Sequence, residues 1–133
     1  MLQVGSSYSK IFVASEKIIE DIAKVSGDTN PIHLSEEYAQ DSIFGRRIAH
    51  ALFCHNIISM IIGNYLPGNG TILISQTFQY RYPVYIGDEI EAKVVVTNVL
   101  PNGKYVLHAT CKNHEGKIVV EGESVVKWGT KKE

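Results

Sequence analysis

The chain has 133 residues, 44% of them apolar and 20% charged, with a net charge of -1 at neutral pH. These values describe one globular domain, 1–133, long enough to bury a hydrophobic core, and they exclude a disordered chain. The near-neutral charge leaves no electrostatic footprint for nucleic acid or an anionic membrane as a partner, and it does little to oppose self-association.

Met1 to Lys10 has no apolar core and no cleavage-site pattern, so no signal peptide is expected. Tyr8 to Val13, rich in β-branched and aromatic residues, reads as a first strand. Ser15 is placed to cap a helix whose first turn carries Glu16, where the helix dipole favours a negative charge. Ile18, Ile19, Ile22, Ala23 and Val25 then recur at helical spacing, ending at Ser26-Gly27, where glycine can take the left-handed C-cap conformation. Ser35, followed by Glu36 and Glu37, starts a short helix to about Ile43.

Phe44 to Ile48 is a connecting loop. The helix from about His50 to Leu66 is apolar nearly all round, so burial on most sides inside a sheet is expected. His55, Asn56, Ser59, Gly63 and Asn64 interrupt it, and it falls short of the ~20 apolar residues a bilayer span needs, so a soluble cytoplasmic protein is expected. Pro67-Gly68-Asn69-Gly70 stops it.

Four strands follow, at Thr71–Tyr82, Glu89–Leu100, Lys104–Asn113 and Lys117–Trp128. The Asn102-Gly103 and Glu115-Gly116 steps are hairpin signals, so neighbouring strands should be antiparallel. Alternation of Tyr105, Leu107, Ala109 and Cys111 with Val106, His108, Thr110 and Lys112 predicts one core face and one wetter face. Gly129 to Glu133 reads as a frayed charged tail. The cysteines, Cys54 and Cys111, form no metal-ligand spacing, so two buried free thiols and no metal site are expected. The fold class is α+β: one buried helix in front of a long antiparallel sheet.

The chemistry concentrates in Ser26-Gly27-Asp28-Thr29-Asn30-Pro31-Ile32-His33, which puts a carboxylate and an imidazole on one restrained turn. Asn30 precedes Pro31 and is pushed to an extended backbone. Two readings are open from these residues alone: a general acid–base pair, or an Asx-turn followed by a surface histidine.

Three segments in order carry a resemblance: Ser26 to His33; Phe44-Gly45-Arg46-Arg47-Ile48-Ala49-His50-Ala51; and Tyr80-Arg81-Tyr82-Pro83-Val84-Tyr85-Ile86-Gly87-Asp88. Together they resemble a MaoC-like hot-dog domain, and more narrowly the (R)-specific enoyl-CoA hydratases, over nearly the whole chain. The resemblance implies a sheet wrapped around a central helix. It also implies that Asp28 and His33 hold a water against the double bond of a trans-2-enoyl thioester, giving the (R)-3-hydroxyacyl thioester, or the reverse. Coenzyme A enters as part of the substrate, with no separate cofactor and no metal.

An enolate oxygen needs a donor, and the backbone N–H at the start of the central helix is the implied one, here at Ala51 where the family has glycine. Asn30, Ser59 and Tyr80 complete the substrate-binding group that the resemblance implies. Ser59 could instead bond back to a helical carbonyl, and Tyr80 could be a core aromatic. Arg46 and Arg47 could reach coenzyme A phosphates or form a solvated pair. His50 reads as helix-cap structure, His114 as turn, and His55 and His108 as packing or surface.

Other acyl-thioester functions remain open: a dehydratase acting on acyl carrier protein, a hot-dog thioesterase, or a non-catalytic thioester-binding module. The family pairs by joining sheets edge to edge, so the resemblance implies at least a homodimer.

Overall fold

The computed structural model describes residues 2–129; most of the expected C-terminal tail lies outside them. The order of elements is β1 (Ser7–Val13), α1 (Glu16–Ser26), α2 (Pro31–Leu34), α3 (Glu36–Gln40), α4 (Ala51–Asn64), β2 (Ile72–Tyr80), β3 (Glu89–Leu100), β4 (Lys104–Lys112) and β5 (Ile118–Lys127). The strands form one five-stranded antiparallel sheet in the order β1-β3-β4-β5-β2.

The sheet's core face follows from side-chain alternation. Ile90, Ala92, Val94 and Val96 of β3 and Tyr105, Leu107, Ala109 and Cys111 of β4 are all buried. Against them packs α4 through Phe53, Cys54, Ile57, Ile58, Ile61 and Ile62, in one continuous hydrophobic cluster. This is the α+β hot-dog arrangement, with the sheet wrapped on the central helix. No helix among the described residues is long and apolar enough to cross a membrane.

Three expectations are corrected. The central helix is not buried on most sides in the single chain but on one face: Ala51 and Asn56 are exposed, and Leu52, His55, Ser59 and Met60 are half-buried. The helix after Ser35 stops at Gln40 rather than Ile43. The Asp28–His33 segment is not a turn throughout, because Pro31–Leu34 closes into a short helix. Asn30 as N-cap and Pro31 at the first helical position are its start signals, but a single turn is too short to show a hydrophobic period.

The caps of α1 form as read. Ser15 accepts from the Ile18 N–H, and Gly27, at φ 75°, ends the helix in the left-handed region. The chain therefore leaves α1 sharply and runs directly into the segment that carries Asp28.

Candidate active site

Asp28 is placed by its own neighbourhood in sequence. Ser26 Oγ accepts from the Asp28 N–H at 3.1 Å, Asp28 Oδ1 accepts from the Asn30 N–H at 3.2 Å, and Asn30 Oδ1 accepts from the Ile32 N–H at 3.2 Å. Each polar side chain bonds the backbone two residues on, so the alternation Ser-x-Asp-x-Asn builds the bend by itself. With Oδ1 taken up by the backbone, Asp28 directs Oδ2 to His33, 3.9 Å from Nε2.

His33 is placed from a distance. Its Nδ1 lies 2.7 Å from the Ile48 carbonyl oxygen, which can only accept. Nδ1 therefore carries the proton, and Nε2 of the neutral ring presents a lone pair on the side of Asp28. Ile48 also donates its N–H to the Ile32 carbonyl and pairs with Tyr85 in an isolated bridge. The next residue, Ala49, donates to Val84 at 2.7 Å. The three sequence segments thus meet at Ile48. Burial holds His33 below the ordinary imidazole value of 6.5 and nearby His50 pushes the same way, against the Ile48 carbonyl and Asp28.

His50 takes part in a way the sequence did not reveal. It stands at the N-cap of α4, but its side chain makes no capping hydrogen bond. Instead its Nε2–H donates to the Asp28 carbonyl at 2.9 Å, and its ring stacks on His33 with centroids 3.9 Å apart and planes 26° from parallel. The side chain is 3% exposed, and its Nδ1 is buried without a partner. His50 therefore touches both Asp28 and His33. Asp28, His33 and His50 offer ligand atoms within 4.8 Å of one another, the one such group among the described residues. Ring-nitrogen lone pairs lie in the ring plane, so two near-parallel stacked imidazoles point alongside each other, a poor geometry for sharing one ion.

A cavity of about 460 Å³ opens beside these groups; Asp28, His33, His50, Ala51, Cys54 and Tyr80 are among its lining residues. Ala51 begins α4, and the first N–H groups of a helix have no intrahelical acceptor. Among the described residues Asn102 is the one non-glycine with positive φ, so alanine at position 51 carries no backbone strain. Tyr80 is half-exposed at this cavity rather than a core aromatic. Cys54 and Cys111 are free and buried, and a hydrogen bond with Cys54 together with burial pushes the Cys111 thiol up, keeping it protonated.

Two expected binding residues are not brought to this cavity. The Asn30 side chain is spent capping α2. Ser59 lies two helical turns beyond Ala51 and lines a separate, smaller cavity with Thr71, Leu73 and Gln76. Arg47 is no free cation, because it pairs with Glu16 at 2.5 Å and with Glu36 at 3.1 Å, tying α1 and α3 to the loop. Arg46 lies over the Tyr85 ring.

Comparison with known proteins fits this geometry. Residues 7–121 match the family model described as MaoC like domain. The chain is 41% identical over 125 residues to the (R)-specific enoyl-CoA hydratase of Rhodospirillum rubrum, covering 94% of this chain and 87% of that one. It is also 41% identical over 134 residues to the 3-hydroxybutyryl-CoA dehydratase of Methylorubrum extorquens, covering 99% and 84%. The solved R-hydratase of Pseudomonas aeruginosa superposes with a TM-score of 0.93 at 35% identity, covering 98% of this chain and 84% of that one. With the fold, the paired Asp28 and His33 and these relatives in agreement, the chain belongs to the MaoC-like domain family.

Proposed function

We propose that the chain catalyses the reversible hydration of trans-2-enoyl-CoA to (R)-3-hydroxyacyl-CoA. The observation that carries this is the 3.9 Å separation of Asp28 Oδ2 and His33 Nε2 beside the start of α4. Both atoms are acceptors, and neither can donate to the other while His33 is neutral. A water about 2.8 Å from each satisfies both with its two O–H groups. Its own lone pair is then free to attack.

In the hydration direction Asp28 takes a proton from this water as the new C–O bond forms at the β-carbon. The electron pair of the C=C bond moves toward the thioester oxygen. The N–H groups at the start of α4, beginning with Ala51, receive the developing charge; one such donor is worth ~2.7–4 kcal/mol at an oxyanion. The proton taken from water returns through the acid–base pair to the α-carbon, and the enolate collapses. His33 orients the water and shares its second proton. Dehydration is the same path reversed. Coenzyme A is part of the substrate, and the step uses no other group.

The names of the curated relatives support this reaction and a coenzyme A carrier. A homodimer is part of the same proposal. Strand β2 ends the sheet, and its Ile72, Leu73 and Ile74 are each about half exposed. An apolar edge of this kind is shielded when a second copy pairs along it.

Crotonyl-CoA tests the reading directly. Loss of the enoyl absorbance without release of free thiol, giving the (R) product on chiral separation, is expected. Thiol release would instead make the chain a thioesterase.

A further inference from the structure

We propose that His55 sets the length of acyl tail this chain accepts, by closing the cleft between α4 and β2 and walling the catalytic cavity off from a second one. The proposal rests on the chain acting on acyl thioesters.

The two elements line two separate cavities. At one end Ala51 of α4 and Tyr80 of β2 line the catalytic cavity. At the other end Ser59 of α4 and Gln76 of β2 line a second cavity of about 100 Å³. Positions 51, 55 and 59 fall on one helix face, and 76, 78 and 80 on one strand face. His55 and Phe78, in ring contact, therefore stand between the two ends on these faces. Ala51 and Ser59 are about 12 Å apart along the helix axis at 1.5 Å per residue, so a tail reaching the second cavity must pass this pair.

The pair is fastened shut. The His55 and Phe78 rings are in contact, with centroids 4.8 Å apart. His55 Nε2–H donates to Gln76 Oε1 at 3.1 Å, and Gln76 Nε2 donates to Ser124 Oγ at 3.1 Å. Ser124 is only 1% exposed. Phe78 in turn lies on Gly122, where an added Cβ would stand 2.5 Å from its ring. A long apolar tail pushing His55 aside would break its hydrogen bond to Gln76 and leave two half-buried polar groups without that partner, which is costly. A short tail ends before the pair and meets no such barrier.

The test is the selectivity between butyryl-CoA and octanoyl-CoA binding, by calorimetry, alongside hydration of the matching trans-2-enoyl-CoAs. The wild-type chain is expected to favour the short thioester by roughly tenfold or more, the scale on which a hydrophobic pocket discriminates. His55→Ala should remove most of that preference by gaining affinity for octanoyl-CoA. His55→Phe, which fills the cleft without the hydrogen bond, should keep it. If His55→Ala fails to fold, Gln76→Ala, which unfastens the imidazole, carries the same expectation with a smaller gain. Equal affinity for both thioesters in the wild-type chain, or a profile that neither opening variant moves, would overturn the proposal. Saturated thioesters cannot be hydrated. A selectivity switch without turnover of crotonyl-CoA would thus sustain the role of His55 while sinking the proposed reaction, and turnover with fixed selectivity would do the reverse.

Discussion

Asp28 and His33 are near neighbours in sequence but are held by opposite means. Asp28 is fixed by bonds between residues two apart, from Ser26 through Asn30 to Ile32. His33 is fixed by a carbonyl fifteen residues away and by an imidazole on another helix. The carboxylate's position is a local property of the chain, whereas the histidine's tautomer depends on the assembled fold. His50 joins the two regimes, reaching the Asp28 carbonyl from twenty-two residues away while its ring covers His33.

The largest test of this contrast removes the acid–base groups themselves. Asp28→Asn and His33→Ala should each lower kcat on crotonyl-CoA by roughly 10²–10⁴-fold, and Asp28→Asn, at a half-exposed side chain, should leave the unfolding temperature little changed. Loss of activity from neither would end the acid–base assignment.

Next in size is His50→Ala, which removes a distant support from both groups at once. A loss approaching ~100-fold in kcat, with KM moving less, is expected from displacement of the reacting groups. The pH profile separates this from simple destabilisation. His33 works in its neutral form and its folded value lies below 6.5, so activity should fall as pH drops through that lowered value. Without His50, whose proximity and cover both depress His33, the acid limb should shift to higher pH. The same linkage acts on stability. Because the fold disfavours protonated His33, its contribution is present above the unfolded value of 6.5 and is lost as pH falls toward the folded one. Unfolding followed across this range, compared with His33→Ala, checks the sign.

The smallest expected effect lies on the local side. Asn30→Ala removes the cap of α2 and should cost about 1 kcal/mol of stability. Because the Asn30 N–H that binds Asp28 is main chain, activity should fall by only a few-fold. A loss as deep as that of Asp28→Asn would mean that the Asn30 side chain meets substrate after all.

Much of the fold was legible because its signals are short-ranged. Strand β4 alternates strictly, Gly27 stops α1, and the Asn102-Gly103 step joins adjacent antiparallel strands. Asp28 and His33 stood out from the chemistry and spacing of one segment. The placements of Asn30 and Ser59 did not follow from the same reasoning. The Asn30 amide is consumed by a cap that a one-turn helix hides from any periodicity, and Ser59 lies a further two turns along α4, past His55. The role of His50 was hidden because its partners are remote, and an N-cap position suggested a local task that its side chain does not perform.

The amino-acid sequence by itself determined the order of the strands and longer helices, the core face of β4 and the bend that presents Asp28, since each depends on residues a few positions apart. Only the tertiary structure decided which nitrogen of His33 carries the proton, that His50 braces the acid–base pair, and that His55 meets Gln76 and Phe78 across the cleft. Those outcomes depend on a carbonyl or a ring arriving from a distant element, and such encounters leave no periodic trace in the chain that makes them.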